Sequence, residues 1–332
     1  MKKNGVLAII VALVVIIAGI SIAVWNNGQS EVKTNALGEP CAKTYSVVVT
    51  VDQWLSVAKD LAIDCVDVTA IINGTGIDPH EYEPHPSDLT KLENADLVVM
   101  NGLGYDEWAA KATANSKERQ LVLDISDAAH TSGGANPHLW YSSDVIKSYI
   151  DSFALYESAM LSQSLDVNSQ SVLDSVRQKE SELSIKFSEL VMLQDQIKTN
   201  LAGKKYAATE SVAYYLMNSL GVEDLTPLGY VNATTNEGEP SILDITEFEN
   251  LIKDPETPLS FLVYNTQEES DISTRIRDAT QNTGVVVVNV TEQKPAEYDD
   301  LFDWITAVAK SFDGGHPDLM PIAPPTTGFG GL

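Results

Sequence analysis

The sequence predicts an α/β protein of two lobes joined by one long rigid helix. Three observations carry this expectation. Short continuous apolar runs alternate with amphipathic stretches in the first part of the chain. An amphipathic stretch over residues 166–201 is longer than a crossover helix needs. The alternation then resumes. Continuous apolar runs are the mark of parallel strands buried on both faces, and their alternation with helices implies layers of helix on sheet.

The elements follow in order. YSVVVTV reads as a strand, DQWLSVAKDLA as a helix, VDVTAII as a strand and HPSDLTKLENA as a helix, with Ser87 and Asp88 capping it after Pro86. DLVVMN and QLVLDI are further strands. Leu173, Val176, Leu183, Phe187, Leu190, Ile197 and Leu201 form one helical stripe, interrupted by Glu180 and Gln194 and stopped by Gly203. A rigid spacer is preferred there over a coiled coil, because the stripe is broken. KKYAAT then leads into the helix SVAYYLMNSLG. ITEFENLIKD is a helix, LSFLVYN a strand, ISTRIRDATQNTG a helix, VVVVNV a strand and LFDWITAVAKSF the closing helix. The expected organisation is a lobe over 45–160, a linking helix over 161–202, a second lobe over 203–313, and a Gly/Pro-rich disordered tail over 314–332. The halves are similar in extent without a residue-level repeat.

Residues 1–25 open with Lys2 and Lys3 and then carry no charge from Gly5 to Trp25. A helix there would be about 30 Å long, enough to cross a bilayer core. Positive charge before it and polar residues after it predict a membrane anchor with the rest of the chain outside the cytoplasm. A cleaved secretory signal is the alternative and gives the same compartment. Residues 26–44 read as a polar linker. Cys41 and Cys65 are the only cysteines. They precede two apolar runs that would share a sheet end as adjacent parallel strands. Outside the cytoplasm such a pair is often a disulfide, contributing about 3 kcal/mol, with free buried thiols as the alternative. The net charge of −26 argues against a nucleic-acid partner and reads as a solvated acidic surface.

His80, His138, Glu210 and Glu292 each stand near a predicted strand end or helix start. Two imidazoles and two carboxylates make a mixed nitrogen and oxygen shell that suits a divalent first-row metal. Open α/β sheets bind ligands beyond the carboxyl ends of their strands, so all four can face a cleft between the lobes. His85, His130 and His316 read as surface groups, and Trp140 and Tyr141 as cleft wall. No strong nucleophile motif competes, and no GxxxxGK[ST] phosphate loop is present. The chain therefore reads as a binder and not as an enzyme.

GIDPHEYEPHPSD, NPHLWYS, ATESVAYYLMNSLG and VVVVNVTE, in this order, resemble the ligand segments of the zinc/manganese solute-binding proteins of bacterial ABC importers. NEGEPS and YNTQEES resemble a subgroup of that family, and the likeness spans about residues 45–312. The resemblance implies two α/β lobes on one long helix and the metal ligands His80, His138, Glu210 and Glu292. Relatives commonly have Asp at the last position, so Glu268, Glu269 and Asp271 stand as alternatives to Glu292. A Glu at the third position and a short loop holding only His130 differ from zinc-dedicated relatives. More oxygen favours Mn²⁺, with Zn²⁺ close behind on intrinsic affinity and iron also admissible. The implied partners are a membrane permease and its cytoplasmic ATPase, served by a monomer that is tethered or secreted. The rivals are a surface adhesin with a structural metal and a zinc hydrolase. The hydrolase is disfavoured because four protein ligands leave no open position for water.

Overall fold

The computed structural model describes residues 41–314, except Ala42, Thr75, Asp78, His80, Glu81, 116–118, 132–134, 164–169, 236 and 237. The predicted anchor over 1–25, most of the linker, the tail from 315 with His316, and the first residues of the predicted long helix lie outside the described residues. So does His80. Among the described residues no helix is long and apolar enough to cross a membrane.

Two four-stranded sheets are each parallel throughout. The first has the order β2-β1-β3-β4, from β1 (Tyr45–Val51), β2 (Val66–Ile72), β3 (Leu97–Met100) and β4 (Leu121–Asp124). The second has the order β6-β5-β7-β8, from β5 (Lys205–Ala208), β6 (Glu223–Asp224), β7 (Phe261–Asn265) and β8 (Val286–Val290). Counted within each lobe, the order is the same. The second lobe therefore repeats the topology of the first without repeating its residues.

Central strand β1 is buried on both faces, as its unbroken Val run requires. Val47, Val49 and Val51 enter one core, whereas Val48 meets Leu92, Val98 and Met100 on the opposite face. Edge strand β2 instead alternates, with Asp67 exposed beside buried Val66.

The helix α1 (Leu55–Leu61) follows a 3-10 turn over Asp52–Trp54. The helix α2 (Pro86–Asn94) has His85 as its N-cap, not Ser87. Asp88 does cap it: its Oδ2 accepts from His85 N at 3.0 Å and from the Tyr82 hydroxyl at 2.6 Å. The helix α3 (Glu107–Thr113) completes the crossover from β3 to β4, and the short helix α4 (Ile125–Ala128) follows β4 directly. Residues 143–162, unassigned from sequence, form the 20-residue helix α5 (Ser143–Ser162). Val145, Ile146, Tyr149, Ile150 and Phe153 give it a buried stripe at helical spacing, and Ser142 caps it. The expected boundary of the first lobe at residue 160 therefore falls inside a helix.

The long helix is α6 (Gln170–Asn200), 31 residues. It buries Val176, Leu183, Leu190 and Ile197 as expected, and also Gln194, whose Oε1 accepts from Ser143 Oγ at 2.6 Å. The second lobe holds α7 (Tyr214–Ser219), α8 (Leu228–Thr235), α9 (Ile242–Lys253), α10 (Asp271–Ala279) and α11 (Leu301–Phe312).

One apolar core runs through both lobes. It joins Val49, Val99 and Leu123 of the first sheet to Leu190 and Ile197 of α6, to Val263 and Val290 of the second sheet, and to Trp304 of α11. Each lobe adds a smaller core on its outer sheet face.

Candidate metal centre

The carboxyl ends of the strands carry the polar groups. His138 is the N-cap of a 3-10 turn over Leu139–Tyr141, and Glu210 that of a turn over Ser211–Ala213 just past β5. Glu292 lies just past β8. The strand order reverses between β1 and β3 and again between β5 and β7, the points where α/β sheets open a ligand crevice.

His138 and Glu292 come together across the lobes, with Nε2 3.9 Å from Oε1 and both side chains nearly buried. The ring of His138 is oriented from its other side. Its Nδ1 lies 2.6 Å from Asn136 Oδ1, which also accepts from His138 N at 2.9 Å. Asn136 Nδ2 donates to Ser211 O at 2.6 Å, so the amide has its oxygen toward the histidine. The proton therefore belongs on Nδ1, and Nε2 keeps its lone pair facing Glu292. Tyr105 and Trp140 wall the ring, with centroids at 6.3 and 5.4 Å.

Glu292 is held from three directions. Gln267 Oε1 accepts from Glu292 N at 2.8 Å, Gln53 Nε2 donates to Glu292 O at 3.3 Å, and the Tyr105 hydroxyl hydrogen-bonds the carboxyl. Burial above all, and then the Glu292 charge, hold the Tyr105 phenol well above its usual range, so it remains a donor.

Glu210 accepts from Asn265 Nδ2 at 2.6 Å. Burial is the main cause that pushes its carboxyl up to about 8; the Asn265 hydrogen bond opposes this, and the charges of Glu268 and Glu292 add to it. Glu210 is thus a shielded carboxyl facing two others, where a cation would be favoured.

Among the described residues, no three His, Cys, Asp or Glu side chains close into a ready metal shell. Of the four sequence candidates, His138 and Glu292 are paired, Glu210 is coupled electrostatically to Glu292, and His80 lies outside the described residues. Of the alternatives to Glu292, Glu269 accepts from Tyr264 at 2.9 Å and Arg277 at 3.2 Å, Asp271 opens α10, and Glu268 is the one whose charge reaches Glu210. Trp140 and Tyr141 are fully buried, and the Tyr141 hydroxyl donates to Thr291 O at 2.8 Å. Cys41 and Cys65 are both disulfide-bonded.

Sequence reasoning did not single out the amides. Asn101 is one: its Oδ1 accepts from Trp54 Nε1 at 3.0 Å, and its Nδ2 donates to Pro137 O at 2.9 Å beside His138. Asn136, Asn265, Gln267 and Gln293 are others. Their one common signal is position, next to a candidate ligand or at a strand end.

Two parallel-sheet lobes on one long helix, with imidazole and carboxyl groups meeting between them, define the class of helix-linked solute-binding proteins. Residues 47–315 match the family described as zinc-uptake complex component A, periplasmic, and the chain belongs to that family. The chain is 28% identical over 197 residues to the iron-binding protein YfeA of Yersinia pestis, covering 55% of this chain and 63% of that protein. It is 29% identical over 154 residues to the manganese ABC transporter substrate-binding lipoprotein PsaA of Streptococcus pneumoniae, covering 42% of this chain and 46% of that protein. The matches thus span less than two thirds of either relative. The fold matches the periplasmic zinc-binding protein TroA of Treponema pallidum with a TM-score of 0.66 at 18% identity, over 82% of this chain and 98% of that one.

Proposed function

We propose that this protein is the extracytoplasmic substrate-binding subunit of an ABC importer, capturing one divalent transition metal ion and handing it to a membrane permease driven by a cytoplasmic ATPase. The observation that carries the reading is the meeting of His138 Nε2 with the Glu292 carboxyl across the lobes, with Glu210 beside them. His80 completes the proposed shell. Two oxygen donors against two nitrogen donors favour Mn²⁺ as cargo, with Zn²⁺ next and iron admissible. A family described by zinc uptake, a relative named for iron binding and one named for manganese transport support the class of cargo. The remaining parts of the proposal are a monomer, tethered by residues 1–25 or secreted after their removal, with Cys41 paired to Cys65. Its first lobe runs from residue 45 through the end of α5, and its second lobe over 203–313.

The test is metal competition on residues 31–332, stripped and reloaded, read by elemental mass spectrometry. One equivalent of Mn²⁺, held reversibly and weakened by Glu210→His, is the expected result. Zn²⁺ alone at one equivalent would move the assignment to zinc, and no bound metal would overturn it.

A further inference from the structure

Two buried or half-buried amides beside the proposed ligands use both of their ends, and each reaches across the cleft: Asn136 with its nitrogen, Gln293 with both atoms. Asn136 stands two residues before His138. Its oxygen faces the His138 ring and backbone, whereas its Nδ2 donates at 2.6 Å to the carbonyl of Ser211, the neighbour of Glu210 in the other lobe. The Asn136 carbonyl accepts from Tyr215 of the second lobe at 2.9 Å, so this contact is doubled. Gln293 follows Glu292 directly and is 6% exposed. Its Oε1 accepts from Gly76 N at 2.9 Å, and its Nε2 donates to the Ile77 carbonyl. Ile77 lies three residues before His80.

The pattern is reciprocal. One amide leaves the first lobe beside His138 and grips the backbone beside Glu210. The other leaves the second lobe beside Glu292 and grips the backbone leading to His80. Each therefore joins a proposed ligand of one lobe to a proposed ligand of the other. A side-chain amide suits this task because it carries a donor and an acceptor and stays neutral, so it can bind peptide groups without adding charge beside a cation.

We infer that Asn136 and Gln293 are positioning residues, two amide clamps that hold the lobes at the metal-binding spacing before the ion arrives. The clamps lower the cost of assembling the shell, because the closed arrangement is populated in advance. The inference rests on the proposed metal site for its consequence in binding, but its geometric part can be tested without metal.

The experiment places spin labels on Lys91→Cys and Glu247→Cys, one on an exposed helix position of each lobe, and measures the interlobe distance in metal-free protein. Asn136→Ala and Gln293→Ala are compared with the parent and with Asn265→Ala, whose contact to Glu210 stays within the second lobe. The expected result is a longer and broader distance for each clamp variant, and none for Asn265→Ala. Metal loss to excess chelator should be about tenfold faster for each clamp variant, as for a lost hydrogen bond that strands its buried partner. Nitrogen NMR of His138 adds a separate readout: its Nδ1–H form should weaken in Asn136→Ala and persist in Gln293→Ala. If Gln293→Ala does not fold, Gln293→Glu keeps the acceptor for Gly76 N and loses the donor, with the same expectation. Unchanged distances in both clamp variants would overturn the inference. Altered distances in a protein that binds no metal would support the clamps and overturn the metal assignment instead.

Discussion

Asn265, the last residue of β7, donates its amide to the Glu210 carboxylate at 2.6 Å, from a neighbouring strand of the same sheet. It favours the charged form of a carboxyl that burial and the charges of Glu268 and Glu292 otherwise push toward neutrality. The charged form is the one that can hold a cation.

Asn265→Ala is therefore expected to raise the Glu210 pKa further and to weaken metal binding at pH 7 by about tenfold, the effect of one further pKa unit of proton competition. A chelator-competition titration of the variant reads this directly. Equal affinity for parent and variant would contradict it.

Metal affinity should fall on acidification for two reasons that act together. Glu210, raised to about 8, is already mostly protonated at neutral pH, and an imidazole binds metal only in its neutral form, so protons compete at both kinds of ligand. Affinity should consequently still be rising between pH 7 and pH 8.5, where a site of ordinary carboxylates would have levelled off. Calorimetric titrations across that range, corrected for buffer ionisation, check the slope.

Glu157 of α5 is fully buried; its Oε1 accepts from Ile63 N at 2.9 Å, while its Oε2 has no hydrogen-bond partner. Burial raises its pKa to about 7, against the smaller effects of the Ile63 hydrogen bond and Lys179. A carboxyl with a folded pKa above the unfolded value destabilises the fold when ionised. The cost is absent below about pH 4.5, grows as pH rises toward 7 and is complete above it. Glu157→Gln should thus raise stability at pH 8 by on the order of 2–3 kcal/mol and leave it nearly unchanged at pH 4.5. Denaturant unfolding at both pH values tests the sign.

Gly102 adopts φ +84, and a Cβ there would lie 2.2 Å from Asp124 Oδ1. Gly102→Ala combines left-handed strain with a clash against the strand next to β3. It should cost about 2–4 kcal/mol in stability. It should also weaken metal binding, because neighbouring Asn101 holds the Pro137 carbonyl beside His138. Urea unfolding of the variant, followed by metal titration at a concentration where it is folded, separates the two effects.

Lys186, on α6, lies 3.2 Å from Asp60 of α1 and 3.4 Å from Asp300, the N-cap of α11. All three remain partly solvated, so Lys186→Met should cost less than about 1 kcal/mol, and the difference should vanish in 1 M salt. Thermal melts at low and high salt measure it.

Much of the fold was legible because apolar period reports burial directly. β1, β2 and α11 match the runs YSVVVTV, VDVTAII and LFDWITAVAKSF to the residue. α5 carries an equally clear stripe in Val145, Ile146, Tyr149, Ile150 and Phe153. α8 carried almost none, since only Tyr230 of its residues is buried. Two-residue β6 is too short to show any period. In the candidate site, His138 and Glu292, which the fold brings to 3.9 Å, could be proposed from sequence because metal-ligand chemistry restricts residue type. The amides Asn136, Asn265 and Gln293 could not, because their partners are backbone groups or side chains far along the chain, and no spacing rule links them.

The apolar core that passes through α6 without a break also bears on how the molecule comes apart. Neither lobe owns a complete interior, so melting one strips a wall from the other. Calorimetry should see a single cooperative transition, and neither half should survive as an isolated fragment. An ion caught between the lobes would then slow amide exchange throughout the whole body, in helices far from any ligand, because every route to global opening must first give it up.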